Sequence, residues 1–317
     1  MGQNKRPHLS IVAPVYNEEE TLPELYRRLQ TVLSEMAIDD YEIVLIDDGS
    51  VDRSHELMVA LRDKDPRVVV LKLSRNFGHH VAMTAGLDHA EGDFVIIMDS
   101  DLQDRPEAIP DLYAKINDGF DVVVADRQNK QFGAFKRLTS WIFHSLMRRL
   151  IGEFTGGVFR IMKRKVVIEV RRCREQERLV VGLIDWTGFE TTSIPVAHGA
   201  RFAGASKYNL GAQIRLAINS ITSFSTLPLR MVSWLGFVTS GLTFIFGAYL
   251  VFRRFYWGLG VEGWTSTLVM IGFLGGVQLL ALGIIGEYVG RIFNATRNRP
   301  LYVLDHEHSP GARSPNE

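Results

Sequence analysis

A single cysteine, Cys173, removes any internal disulfide and fits a reducing compartment; as a lone residue it reads first as a small buried hydrophobe. Net charge is also missing. Lys and Arg total 36 against 36 Asp and Glu, so nothing global argues for a nucleic-acid partner and charge must be argued from local patches. The start, Met1 to His8, is polar, and the first apolar run, Leu9–Ala13, is too short for the hydrophobic region of a secretory leader; none is expected. Within the strand–helix alternation described below there is no GxGxxG turn and no GxxxxGK[ST] loop, which excludes the dinucleotide fingerprint and the Walker A cradle.

Long apolar runs are present, all near the far end. Val232–Phe252 and Thr265–Gly286 carry no charge, and each matches the roughly 20 residues needed to cross a bilayer core. The alternative is a buried helical hairpin in a soluble protein. Trp234 near the first run, and Phe255, Tyr256, Trp257 and Trp264 between the two, resemble an aromatic belt. Arg215, Arg230, Arg291, Arg297 and Arg299 flank one side, against Arg253 and Arg254 on the other, so both termini are expected in the cytoplasm at a plasma membrane. Gly272, Gly276, Gly286 and Gly290 form small-xxx-small pairs suited to close helix packing, and hence to a homo-oligomer through the membrane helices. Before the spans, Leu210, Ile214, Ala217, Ile218 and Ile221 share one helix face, which lies either in the membrane interface or on a core. Four regions follow: a domain over 1–209, a juxtamembrane helix over 210–229, two spans over 230–290 and a tail over 291–317. After Leu304, with Pro310, Gly311 and Pro315, the tail is expected to be disordered.

The first region alternates strand and helix. Strands are read at Leu9–Pro14, Tyr41–Ile46, Val68–Leu73 and Phe94–Met98, with helices at 19–37, 54–62 and 81–90 between them. The fold class is therefore α/β, a mostly parallel sheet with crossover helices. Three strands end in polar clusters: Tyr16-Asn17-Glu18, Asp47-Asp48 and Asp99-Ser100-Asp101. Right-handed crossovers place those ends on one edge, where ligands of open α/β sheets bind. Asp99-Ser100-Asp101-Leu102-Gln103 has two readings. It is a solvated turn, or it offers carboxylate and amide oxygens to Mg²⁺ or Mn²⁺, with a nucleotide diphosphate completing the shell. Farther on, Asp121–Ala125 reads as a strand, Asp126–Lys130 as a polar loop, 135–151 as a helix carrying Lys136, Arg137, Arg148 and Arg149, and 187–196 as a strand. His198–Tyr208 is a glycine-hinged loop with Arg201 and Lys207, able to close over a phosphate or to serve as an ordinary surface connection.

With Pro14-Val-Tyr-Asn-Glu18, Asp47-Asp-Gly-Ser50, Asp99–Gln103 and Gly204-Ala-Ser-Lys-Tyr208 in place, the chain resembles family 2 glycosyltransferases of the GT-A (Rossmann-like) fold. Within them it is similar to the polyprenyl-phosphate glycosyltransferases, such as bactoprenol glucosyltransferases and dolichol-phosphate mannose synthase. Ser223-Phe-Ser, Pro228-Leu-Arg230 and Gly286-Glu-Tyr-Val-Gly-Arg291 carry the subgroup likeness. The resemblance implies an inverting, metal-dependent transfer of glucose or a related hexose from a nucleotide sugar, expected to be UDP-linked, to a polyprenyl phosphate such as undecaprenyl phosphate. The product would be a lipid-linked sugar donor for cell-envelope glycosylation. It also implies roles. Pro14, Tyr16, Glu18, Asp48 and the nearby Asp47, with Asp99 and Ser100, face the nucleotide, while Asp99, Asp101 and Gln103 face the metal. Arg127, Arg137, Ser140, Ser206 and Lys207 meet the acceptor phosphate, and Asp101, Arg127, Arg137 and Lys207 carry catalysis.

One departure stands out. Relatives often read Asp-Phe-Arg-Leu where this chain has Val158-Phe-Arg-Ile161, so a carboxylate role at that point is absent. The Gln-x-x-Arg-Trp motif of processive synthases is missing too, which argues against a polymerase. Two other readings stay open: a catalytically impaired nucleotide-sugar-binding membrane protein, and a transferase of the same fold with a different acceptor.

Overall fold

The computed structural model describes residues 7–128, 157–176, 178–197, 227–257 and 263–308. The first of its two compact units comprises residues 1–213 together with 300–317. Its described elements run β1 (Leu9–Val15), α1 (Leu22–Glu35), β2 (Tyr41–Asp47), α2 (Ser54–Lys64), β3 (Val68–Leu73), α3 (His79–His89), β4 (Phe94–Ile97), a short 3₁₀ turn at Pro106–Ala108 leading into α4 (Ile109–Asn117), β5 (Val122–Gln128), β6 (Arg160–Lys163), α5 (Arg164–Arg172), α6 (Val180–Trp186) and β7 (Thr191–Ala197). The second unit, 214–299, contributes α7 (Leu227–Trp257) and α8 (Trp264–Thr296). The chain then returns to the first unit as β8 (Leu304–His308).

One eight-stranded sheet has the order β7-β5-β6-β4-β1-β2-β3-β8. β4, β1, β2 and β3 are mutually parallel. β6 runs antiparallel to both β4 and β5, so β5 and its parallel neighbour β7 point the same way as β4. The carboxyl ends of β4, β1, β2, β3, β5 and β7 therefore share one edge. Alternate residues of each central strand serve two apolar layers, which is why these strands read as unbroken hydrophobic runs. Leu9, Ile11, Ile43 and Leu45 meet Leu25 and Leu29 of α1, Met58 of α2 and Leu112 of α4. Val12, Val44, Ile46 and Ile97 meet Met83 and Leu87 of α3, Val166 of α5 and Ile184 of α6 on the opposite face.

A buried ion pair pins the start of β6. Arg160 is fully buried; its Nη1 lies 3.1 Å from Asp185 Oδ1 and its Nε donates to the Gly157 carbonyl at 3.1 Å. A buried guanidinium needs such partners, because desolvation otherwise dominates.

Two expectations need correction, and one element is new. Asp126–Gln128 is strand, not loop: β5 continues because these residues pair with Pro195–Ala197 of β7. Val180–Trp186, not distinguished in the sequence, is a helix whose Val180, Leu183 and Ile184 are buried. The tail after Leu304 is not disordered throughout. Leu304–His308 pairs antiparallel with β3, the Ser74 amide donates to the Val303 carbonyl, Lys72 lies 3.2 Å from Asp305, and the Tyr302 hydroxyl donates to Asp88 at 3.1 Å. Local composition favours disorder here; pairing with an otherwise open sheet edge overrides it.

In the second unit, Met231–Leu250 and Met270–Thr296 are apolar and long enough to cross a membrane. Their large side chains, among them Phe237, Phe244, Leu279 and Leu282, are exposed.

Candidate functional site

The site is built from loops that leave adjacent parallel strands. After β1 and β2 the loops are laced together. The Asn17 amide donates to Ser50 Oγ at 3.1 Å, the Val51 amide to Asn17 Oδ1 at 2.9 Å, and the Glu18 amide to Ser54 Oγ at 2.8 Å. Asn17 adopts a positive φ of 57°, which Asn tolerates better than most residues. Tyr16 remains exposed beside this lacing. The Pro14 carbonyl accepts from Ser100 Oγ at 2.8 Å, tying the end of β1 to the loop after β4.

The two aspartates after β2 divide the work. Asp47 is fully buried; its Oδ1 accepts the Ser50 amide at 2.8 Å, closing the turn, and its Oδ2 lies 3.3 Å from His55 Nδ1. One oxygen of its carboxylate is thus used to close the turn. Asp48, also buried, accepts the Phe77 amide at 2.7 Å and the Gly78 amide at 3.0 Å, clamping the loop between β3 and α3. Burial raises its pKa; those amides and the His79 charge oppose, and the net direction is up.

The loop after β4 is held by hydrogen bonds within itself. The Asp99 amide donates to buried Asp104 Oδ2 at 3.1 Å. Asp101 Oδ1 accepts the Gln103 amide at 3.0 Å and Oδ2 accepts Gln103 Nε2 at 2.7 Å. Leu102, buried between them, holds a φ of 63°, a strained choice for a leucine and a kind of strain that clusters at functional sites.

His79, the first residue of α3, was not singled out from the sequence. Its Nε2 lies 3.2 Å from Asp99 Oδ1. Desolvation lowers its pKa, but the contact with Asp99 and the charges of Asp99, Asp48 and Asp101 outweigh it and the net direction is up. The signal available was positional: Arg75–His79 follows a strand of the same parallel set.

Among the described residues no group of three or more His, Cys, Asp or Glu side chains forms a metal cage. Asp99, Asp101 and the Gln103 carbonyl oxygen are nevertheless a hard-oxygen donor set on one loop. That suits a cation such as Mg²⁺, which is typically held by one or two carboxylates and a substrate's phosphates.

The acceptor-side candidates are placed less completely. Arg127 lies one residue before the end of β5, at the shared edge. Arg137, Ser140, Ser206 and Lys207 lie outside the described residues. Their segments are bounded by this edge: residues 129–156 connect the end of β5 to the start of β6, and the residues after 197 follow the end of β7. Val158, two residues before β6, is half-buried against the apolar layer that includes Val122 and Val124.

The sequence matches the model of Glycosyl transferase family 2 over residues 10–171. It is 40% identical to the SfII prophage-derived bactoprenol glucosyl transferase of Shigella flexneri, over 95% of this chain and 98% of that one. It is 39% identical to the undecaprenyl-phosphate 4-deoxy-4-formamido-L-arabinose transferase of Salmonella choleraesuis, over 93% of this chain and 92% of the relative. Among solved structures, glucosyl-3-phosphoglycerate synthase from Mycobacterium tuberculosis, in complex with Mn²⁺, UDP and phosphoglyceric acid, matches with a TM-score of 0.50 at 20% identity. That match covers 68% of this chain and 78% of that one, and it speaks to the fold.

Proposed function

The chain belongs to glycosyl transferase family 2 and is a glycosyltransferase, and from that premise we propose that it transfers a hexose, glucose or a close relative, from UDP to a polyprenyl phosphate with inversion. The observation that carries this reading is the shared strand edge. It brings Tyr16, Glu18, Asp48, Asp99 and Asp101 together, with Arg127 at the end of β5 on the same edge. The acceptor comes from the names of the two relatives, both of which act on bactoprenol or undecaprenyl phosphate.

Tyr16, Glu18 and Asp48 hold the nucleoside side, with Asp47 acting from inside the turn and Pro14 and Ser100 fixing the floor. A divalent cation, Mg²⁺ or Mn²⁺, would be held by Asp99, Asp101 and Gln103 and would neutralise the diphosphate as it leaves. Arg127, Arg137 and Lys207, with Ser140 and Ser206, hold the acceptor phosphate and align one of its oxygens with the sugar carbon. A phosphate monoester has a second pKa of about 6, so the acceptor is largely dianionic at neutral pH and needs no general base. Val158 fits that requirement, since a hydrophobe there removes nothing the reaction uses. Positioning and charge neutralisation then account for rate.

The membrane reading draws on β8. The chain leaves the first unit after residue 213 and re-enters it at 300 to pair with β3. If Met231–Leu250 and Met270–Thr296 cross a bilayer, both flanks lie on one side, and the flanking arginines make that side the cytoplasm.

The test uses purified full-length protein with Mg²⁺, undecaprenyl phosphate and a panel of labelled nucleotide sugars. UDP-glucose is expected to give a lipid-linked product. Lys207→Ala is expected to lose most transfer while UDP binding stays within about twofold, because Lys207 serves the acceptor. Collapse of UDP binding in Lys207→Ala would move that loop to the donor side. Absence of lipid product with every sugar would favour the binding-protein reading.

A further inference from the structure

We infer that His79 is a positioning residue for Asp99, reaching from the helix after β3 across two strands to fix the carboxylate that follows β4. The inference rests on the proposed reading of Asp99 as a group facing the nucleotide and its metal.

The geometry begins with the sheet order. β3 and β4 are separated by β2 and β1, and α3 is the crossover that joins them. Its buried Met83 and Leu87 lie in the same apolar layer as Val12 of β1 and Ile46 of β2. The first turn of α3 thus overhangs the carboxyl ends of β1 and β2, and His79 Nε2 reaches within 3.2 Å of Asp99 Oδ1. Side chains on strands this far apart do not meet through the sheet itself.

The histidine is held on its own side. Gly78 takes a φ of 98°, open to glycine and costly for other residues, and its amide and that of Phe77 are both clamped by buried Asp48. Asp99 is held on the other side by the hydrogen bond its backbone N–H donates to Asp104 and by the Ser100 link to the end of β1. The His79 side chain keeps 44% of its surface and that of Asp99 24%, so the contact is partly solvated; what separates it from a pair of mobile surface side chains, which contributes little, is that both backbones are independently anchored. Groups that contact a metal-facing carboxylate from behind set its orientation, and their loss typically lowers metal affinity or activity 10–100-fold; His79 Nε2 stands at ion-pair distance from Asp99 Oδ1.

The experiment measures Mn²⁺ binding by electron paramagnetic resonance and Mn²⁺-dependent UDP affinity by calorimetry, on full-length protein in detergent. It compares wild type, His79→Ala, His79→Gln and Asp99→Ala, with far-UV circular dichroism to confirm the fold. His79→Ala is expected to weaken Mn²⁺-dependent UDP binding about 10–100-fold. His79→Gln places an amide N–H near the position of Nε2 and is expected to recover most of that loss. If Asp99→Ala abolishes metal-dependent binding while His79→Ala stays within twofold, the inference is overturned and the reading of Asp99 stands. If His79→Gln is as impaired as His79→Ala, the N–H contact is not what matters and the inference is overturned. If Asp99→Ala itself binds like wild type, the reading of Asp99 fails and takes the inference with it.

Discussion

Gly49 allows a sharp test of how the donor-side loops are joined. It sits in the turn after β2 with a φ of 72°. A Cβ there would lie 2.6 Å from the Asn76 amide nitrogen and 2.7 Å from the Arg75 carbonyl carbon, both backbone atoms of the loop that leads to His79. Gly188 has the same φ of 72°, but a Cβ there meets nothing within 4 Å. The pair separates two costs. Left-handed backbone strain is common to both alanine variants and is about 1–2 kcal/mol. The overlap belongs to Gly49 alone. Non-bonded carbon contacts are comfortable at about 3.5–4.0 Å, so the Arg75–Asn76 backbone must retreat by roughly an ångström. Forcing such a shift in a packed region costs about 1–3 kcal/mol more. Because Asp48 clamps the same loop, the retreat is expected to reach His79 and Asp99. Gly188→Ala should therefore lower the melting temperature modestly and leave UDP affinity within twofold. Gly49→Ala should lower it further and weaken UDP binding by about tenfold or more, taking 1.4 kcal/mol of the overlap cost as one decade. Calorimetric UDP titration of the two purified variants decides it. Equal UDP affinities in both would refute the argument that this contact sets the donor loop.

Two further outcomes are expected. His80, beside His79, has its pKa pushed down to about 4 by burial first and by the His79 charge next, with Arg178 reinforcing and Asp99 opposing. Between the unfolded value of 6.5 and about 4 the unfolded chain binds the extra proton, so stability rises with pH across that window and is lost on acidification. His80→Gln should flatten the fall in melting temperature between those pH values, and parallel curves for variant and wild type would reject the assignment; His79 remains in both proteins and cancels. For the tail, the β8–β3 pairing requires both flanks of the apolar helices on one side. In a Cys173→Ser background, Gly260→Cys should react with an impermeant thiol reagent added outside cells and Ser309→Cys should not; the reverse pattern would overturn the topology.

Much of this was legible because it is local. Val68–Leu73 is a strand in sequence and structure alike, and the edge holding Asp48, Asp99 and Asp101 follows from strand–helix alternation and crossover handedness. What was not legible depends on long-range pairing. Asp126–Gln128 is polar enough to read as loop and becomes strand only because Pro195–Ala197 lies alongside. β8 sits in a tail of loop-like composition and forms because β3 leaves an edge to cover. His79 follows β3 and meets an aspartate that follows β4, with two strands between, a contact with no sequence spacing to betray it. Asp47 shows a second structural duty that its position did not announce: its Oδ1 closes its own turn.

The sheet order also bears on why two anions can share this edge. β6 is the strand that interrupts the parallel set. On one side of it, β4, β1, β2 and β3 deliver Asp99, Asp101, Glu18, Asp48 and His79. On the other, β5 and β7 deliver Arg127 and lead into the segments that carry Arg137, Arg201 and Lys207. On the proposed reading, acids that recruit a cation lie toward one partner and basic groups toward the other, and the reacting atoms meet near the start of β6. Two unit charges 4 Å apart interact by about 4 kcal/mol at an effective dielectric of 20. A dianionic phosphate beside a diphosphate is therefore strongly disfavoured unless cations stand on both sides. Val158 is at this junction. On the same reading, a carboxylate there would add a third negative group beside the two anions, and the hydrophobe adds none.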